Sequence, residues 1–493
     1  MPIVYPENPY FNRLRMHTAE NVTRCEEGAH DPALLEWEGG YFAYSTDTAG
    51  MPCGYQIRTG RDLLHWSYVG SAFALDKTPE SRAAAGLDEA YEWCVTDETE
   101  ASGLCTRKDG SMCFWAPHCV RGADGKFWLF YCLTGYFGGS KSCIGIAKAS
   151  SPYGPFVSEK LLVQSPAGWR TPNAIDPQFF SAEGRSFLVY GSYGMGLFLI
   201  ELDPATGYRK DGLTYADFAA GRADFARYYG KNLARGSVEG GAIRYHERVP
   251  VLVGGKQAYK SFYYLTCSYG SLSSVYHIRC GRSERPEGPY VDVNGNELVC
   301  STDLGTGNKL LGSFCREGAL ADVFCPGHND LFVTGGGVAL LSYHCRTHYF
   351  IKTKESESSN FHFLFLGQYA FNSDGRLVVS ANRYAGERLQ PIAREDFLRD
   401  TDGIFGAVLF SQHTDTEQER RVCLHADGTV TGAYTGEWRL YGENYVSLVL
   451  DGEEYRGVVM PCWIDHRGKA GLTVTALGVS SGMALHLNGE KRK

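Results

Sequence analysis

At 493 residues with a formal net charge of −8, the chain is long enough to bury a large core and to form more than one domain. It has no Lys/Arg run to provide the concentrated basic face that phosphate binding needs, which argues against nucleic acid as a partner. Nothing approaches ~18 consecutive apolar residues, so no membrane span is expected.

The N-terminus, Met1-Pro2-Ile3-Val4-Tyr5-Pro6, shows neither a basic patch nor an apolar stretch, so a cytoplasmic location is expected. A secreted chain whose leader had been removed would read the same way. Several of the sixteen cysteines (Cys132, Cys267, Cys345, Cys423) occupy strand positions where a small apolar residue would serve, which fits reduced core thiols.

Along the chain, one unit recurs: an apolar strand, a turn and an aromatic-rich strand. The first runs from Asp31-Pro32 through Glu38-Gly39-Gly40 to Tyr41–Asp47, the second from Phe114-Trp115-Ala116-Pro117 through Asp124-Gly125 to Phe127–Tyr131. The third joins Asp176-Pro177 through Glu183-Gly184 to Phe187–Gly191. The fourth pairs Glu239–Ile243 with Phe262–Thr266, and the fifth pairs Gly327–Phe332 with Val338–Tyr343. Turn signals and paired aromatic runs without alternating helices predict all-β structure. Copies spaced roughly 60–90 residues apart exceed the usual propeller repeat, an excess that long loops absorb. The prediction is a five-bladed β-propeller, whose radial repetition points the first strand of each blade at a shared channel. The alternative is a β-sandwich whose turns happen to carry acids.

Three of these units open on a carboxylate: Asp31, Asp176 and Glu239. An acid at the head of an apolar strand is costly to bury unless something pairs or uses it. Two such acids facing one pocket suffice for acid/base work on a glycosidic bond. Taken singly, Asp31-Pro32 and Asp176-Pro177 also read as turn initiators, and Glu239 as an ion-pair partner of Arg235 or Arg244.

Two other motifs are weaker. Cys113, His118 and Cys119 lack the close cysteine pairing of a zinc site, and none is expected there. The glycine spacing of Gly305–Gly312 loosely suggests a nucleotide loop but reads as a surface turn without strand–helix context. The repeats end near residue 383. A polar stretch with Pro391 (384–403) is read as a linker, and short strands at about ten-residue spacing over 404–493 predict a small β-barrel or sandwich.

The order His30-Asp31-Pro32, Trp115-Ala116-Pro117, Asn173-Ala174-Ile175-Asp176-Pro177, Val238-Glu239-Gly240, Gly327-His328-Asn329 resembles glycoside hydrolase family 43. Ile144–Ala147, Tyr190–Ser192 and Gly281–Ser283 are most similar to its arabinan-degrading members. The segment from Tyr434 to Trp463 looks like the barrel appended to two-domain endo-α-1,5-L-arabinanases. The resemblance implies an inverting hydrolase acting on arabinan or arabino-oligosaccharides, with Asp31 as general base, Glu239 as general acid, and Asp176 raising the acid's pKa. It also implies a calcium ion near His328 in the propeller channel.

Phe114 and Trp115 are candidates for stacking on a furanose ring or for wall packing. Asn173 and Ser192 could bond sugar hydroxyls, and Asn173 alternatively holds the turn before Asp176. His118 stands where many relatives carry an acid, which leaves subsite preference open. The segment 76–112 could form a cleft wall. Competing readings are an exo-acting α-L-arabinofuranosidase or β-xylosidase of the same family, and a non-catalytic carbohydrate-binding propeller.

Overall fold

Five antiparallel sheets follow one another between Ala33 and Val379 in the computed structural model, which describes residues 2–10, 28–46, 54–95, 113–135, 138–254, 256–300, 305–316, 323–347, 362–413 and 415–492. The first blade orders Ala33–Trp37, Gly40–Ser45, Gln56–Gly60 and Ser67–Ser71. In the second, a split inner strand (Cys113–Phe114 and His118–Arg121) pairs Phe127–Thr134, followed by Ser142–Ala149 and Val157–Ser165. The third holds Gln178–Ala182, Arg185–Tyr190, Leu197–Leu202 and Lys231–Ala234. The fourth holds Val238–Val253, Lys256–Tyr269, His277–Ser283 and Asn308–Leu311, and the fifth is built on Val323–Val333, Ala339–Thr347, Phe363–Phe371 and Leu377–Val379.

Local chemistry sets the hairpins. Glu38 and Gly39, and likewise Glu183 and Gly184, both take positive φ, the backbone of a two-residue turn whose twist matches antiparallel strands. The middle strands are buried on both faces, so they read as unbroken apolar runs: every residue of Phe127–Thr134 is buried. Alternate side chains serve alternate neighbours. Leu129, Tyr131 and Leu133 pack with Phe42 and Tyr44 of the first blade, while Trp128, Phe130 and Cys132 pack with Leu188 and Tyr190 of the third. Five such layers separate the blades, and the last, between Phe332 or Leu340 and Leu34 or Ala43, closes the ring. The abundant aromatics are therefore mostly mortar between blades.

Eight strands from Ile404–Leu409 to Ala484–Glu490 close into a barrel rather than a sandwich. The stretch read as a linker is partly built into it. Arg394–Thr401 is a helix, and its fully buried Phe397 stacks on Phe405 and packs against Trp438 in the barrel core.

The surface turn expected at Gly305–Gly312 is also corrected: Asn308–Leu311 is a buried strand of the fourth blade. There Lys309 donates its ammonium to the carbonyls of Ser411 and His413, clamping barrel to propeller. The pair Glu417–Gln418 adds a parallel strand to Phe314–Cys315 at the fifth blade, a second bond between the domains. Nine of the thirteen described cysteines are buried.

Candidate active site

Each blade brings a residue in the left-handed backbone region to the centre: Asp31 (φ 55°), Ala116 (42°), Asp176 (58°), Gly240 (58°) and His328 (45°). All five line one cavity of about 20 Å³, room for a single water or ion. Non-glycine residues avoid this region, and four of them in equivalent places mark a strained, built site. Glycine is favoured in the fourth blade, where a Cβ would crowd the His328 ring at 3.1 Å on a left-handed backbone. The carboxylate of that blade comes instead from the preceding Glu239, at a β-bulge that shifts the register between Glu239 and Ala242.

The three predicted carboxylates are all buried, and their surroundings differ. Asp31 accepts a hydrogen bond from the Thr46 hydroxyl, which itself accepts the Ala116 N–H at 2.8 Å. His328 Nδ1, His30 Nε2 and His344 Nδ1 stand 3.2, 3.3 and 3.3 Å from Asp31 Oδ1. Burial pushes the Asp31 carboxyl up, but the imidazoles of His30, His328 and His344 overcome it and hold the pKa well below the usual range.

Glu239 is raised instead. Burial drives the shift, against His328 and against two hydroxyl donors, Ser192 at 2.7 Å and Tyr276 at 2.8 Å. Asp176 is pushed furthest up, by burial with added repulsion from Glu239 and Asp31, while His328 opposes. His328 is raised: the charges of Asp31, Asp176 and Glu239 outweigh its burial. The three carboxyl groups around His328 thus combine one biased toward ionisation with two biased toward the protonated form.

Three imidazoles, His30, His344 and the additional His362, bring one ligand atom each within 4.8 Å of one another. Arg346 donates to His362 Nε2 at 3.1 Å, so a guanidinium already supplies positive charge beside them. The His30 and His362 rings stack at 3.9 Å, and burial lowers the pKa of His30 to about 3. The three rings pack against one another behind Asp31. The small central cavity is different. Asp176 Oδ2, Asn329 Oδ1 and Asp330 Oδ1 are buried oxygens without a hydrogen-bond partner, and their residues line that cavity with His328. Oxygen-rich donors of this kind fit a hard divalent cation.

The proposed sugar contacts need correction. Phe114 is 1% exposed, stacked on Phe73 and edge-on to Tyr55, so its face is closed to a ligand. Trp115 is half-buried and donates its indole N–H to Thr134. Asn173 accepts from Ser142 at 2.6 Å and supports the turn before Asp176, while Ser192 is spent on Glu239. His118 lines the central cavity and accepts the Phe179 N–H through Nδ1. In the segment 76–112, helix Asp88–Cys94 packs its Ala90 and Cys94 against the second blade, and 96–112 lie outside the described residues. Sequence reading missed Thr46, just after a second strand, Tyr276, just before a third, and His344, within a second, all of which reach the acids.

A five-bladed propeller that gathers three buried carboxyl groups around one imidazole, one held low in pKa and two raised, fits a hydrolase of the acid/base type. Residues 25–375 match the model of glycosyl hydrolases family 43, and 381–486 match its C-terminal lipocalin-like domain. The chain belongs to glycoside hydrolase family 43.

It is 27% identical to extracellular endo-α-(1→5)-L-arabinanase 2 of Bacillus subtilis, covering 92% of each chain. It is 28% identical to the extracellular endo-α-(1→5)-L-arabinanase of Thermotoga petrophila, covering 88% of each. Among solved structures, a family 43 glycoside hydrolase from Bacillus licheniformis superposes with a TM-score of 0.76 at 26% identity, over 95% of this chain and 99% of that one. An endo-1,5-α-L-arabinanase from Thermotoga petrophila gives 0.75 at 25% identity, with the same coverage. The expectation of a cytoplasmic location is overturned: both curated relatives are extracellular. An unremarkable N-terminal stretch does not decide the compartment.

Proposed function

We propose that this chain hydrolyses the α-1,5 linkages of arabinan or arabino-oligosaccharides with inversion at the anomeric carbon. The observation that carries this reading is the opposite displacement of Asp31 and Glu239, two buried carboxyl groups that both act on the one imidazole of His328. Asp31, ionised, takes a proton from water as the oxygen bonds to the anomeric carbon. Glu239, protonated, gives its proton to the departing glycosidic oxygen. Asp31, held ionised, disfavours ionisation of Glu239, and Asp176, the acid raised furthest, feels the same repulsion from both. Ser192 and Tyr276 fix the direction in which the Glu239 proton is offered. A pure binder of neutral sugar gains nothing from burying three acids together.

Calcium is the cation proposed for the small cavity. His328, with the oxygens of Asn329 and Asp330, would hold it, and it would supply fixed positive charge that steadies the surrounding carboxylates. The curated relatives' names favour cleavage within the chain. The test is digestion of linear arabinan, arabinoxylan and aryl arabinofuranosides side by side, with product sizing. A ladder of arabino-oligomers is expected. Monomer alone would move the reading to end-on cleavage, and release from arabinoxylan only would overturn the substrate assignment.

A further inference from the structure

Remote from the three carboxylates, one flank of the C-terminal barrel carries a groove of about 810 Å³, lined only by residues between Thr401 and Arg492. Six cationic side chains face it: Arg420, Arg421, Arg467, Lys469, Lys491 and Arg492. Among the described residues only two carboxylates do, Glu419 and Glu490. In a chain of net charge −8 this is a local inversion of sign, and positive potential is focused in the concavity.

The internal acids do not balance it. Glu490 is shared by Lys469 at 2.8 Å and Arg467 at 3.4 Å, and Arg492 pairs Asp402 at 2.6 Å from outside the groove. Arg420 and Lys491 have no carboxylate partner among the described residues; Lys491 instead lies 4.2 Å over the Tyr5 ring. His466, which also lines the groove, has a buried Nδ1 with no hydrogen-bond partner.

We propose that this groove binds an oligosaccharide bearing uronic-acid carboxylates, as a second carbohydrate site separate from the catalytic cavity. The volume far exceeds a single small anion and falls in the range of roughly 300–1,000 Å³ that holds extended ligands. Four of the six cations are arginines, whose planar forks match carboxylate geometry two bonds at a time. A row of single charges separated by neutral rings suits cations spread along a groove. Attachment to a carbohydrate-cleaving domain favours a sugar chain over a nucleic acid.

The test is titration of the full-length chain with oligogalacturonate, against neutral arabino-oligosaccharide, inorganic phosphate and a single-stranded oligodeoxynucleotide as separate probes. Oligogalacturonate is expected to bind, to weaken as salt rises, and to weaken at least tenfold when Arg420→Glu is combined with Lys491→Glu. Both positions are exposed, and the milder Arg420→Gln/Lys491→Gln pair is expected to weaken binding in the same direction should the charge reversals disturb folding. Hydrolysis of a short neutral substrate should be unchanged in both pairs. Absence of oligogalacturonate binding overturns the proposal, as does binding untouched by either pair. Equal binding of phosphate or of the oligonucleotide overturns it too, leaving a plain anion site.

Discussion

The hydroxyl of Tyr276 donates to Glu239 Oε1 at 2.8 Å, and the Tyr276 ring stacks at 5.8 Å on His344, whose Nδ1 stands 3.3 Å from Asp31. One buried tyrosine therefore bridges the surroundings of the two acids that the proposed reaction needs in opposite protonation states. Its hydrogen bond stabilises the ionised form of Glu239 and opposes the burial that raises its pKa. In Tyr276→Phe the Glu239 pKa should rise further. The general acid acts while protonated, so activity is lost as pH climbs through that pKa. The basic limb of the kcat/KM profile should move to higher pH, with the acid limb, set by Asp31, nearly in place. A profile that falls in height without moving would show Tyr276 to be packing alone.

Glu239→Gln keeps the shape of the side chain and the Ser192 and Tyr276 neighbours but carries no transferable proton. Turnover of arabinan should fall by about 10²–10⁴, the usual worth of a positioned acid. Binding of arabino-oligosaccharide, followed by calorimetry, should change little. Full activity in this variant would remove Glu239 from the reaction.

Thr46 ties the proposed base to the second blade: its hydroxyl donates to Asp31 and accepts the N–H of Ala116. Thr46→Val preserves shape and strips both bonds, leaving a buried carboxylate and a buried N–H short of a partner. Each such loss costs about 1–3 kcal/mol. Roughly a tenfold or greater fall in kcat is expected, with a lowered melting midpoint, and Thr46→Ser should restore both. Failure of serine to rescue would assign the effect to the methyl group.

How much of this was legible in the chain depends on how local each signal is. Asp31, Asp176 and Glu239 announce themselves because an acid at the head of an apolar strand, repeated in frame, has few other uses. Their left-handed backbone is invisible in sequence for the aspartates and hinted at only by Gly240. Phe114 ends the short strand Cys113–Phe114 and enters the core beside Phe73, while Trp115, in the break that follows, stays half-buried. Composition cannot make that choice. Thr46, Tyr276 and His344 act across blades, so their meaning exists only once the ring closes. Asn308–Leu311 was masked by nearby glycines that belong to the approach to the strand. Helix Arg394–Thr401 was masked by its charged residues, since Phe397 and Leu398 give too short an apolar stripe to stand out.

The central cavity makes the calcium proposal testable without any reference to turnover. A cation bound only by the folded state stabilises it by about 2.7 kcal/mol when present at a hundred times its dissociation constant. Dialysis against a chelator should lower the melting midpoint by a few degrees, and calcium should restore it. The response should vanish in His328→Ala and weaken in Asp330→Asn, which removes one negative charge from the cavity wall. A midpoint indifferent to chelator and to calcium would remove the ion from the proposal and leave His328 as a charge neighbour of the acids.

Phe397 tests whether the helix before the barrel is structure or tether. Its ring is fully buried, 5.1 Å from Phe405 and 5.3 Å from Trp438, and the helix that carries it is anchored by Thr401 donating its hydroxyl to the Phe397 carbonyl. Truncation to alanine removes a buried aromatic from a closed barrel that has little room to collapse, and such changes cost about 3–5 kcal/mol. Denaturant unfolding followed by tryptophan fluorescence should show the barrel transition moved to lower denaturant in Phe397→Ala. Lys309 and the Glu417–Gln418 strand couple the barrel to the propeller. Part of that loss should therefore reach the propeller, as a lowered midpoint for inactivation. A transition that does not move would return residues 394–401 to the role of a linker.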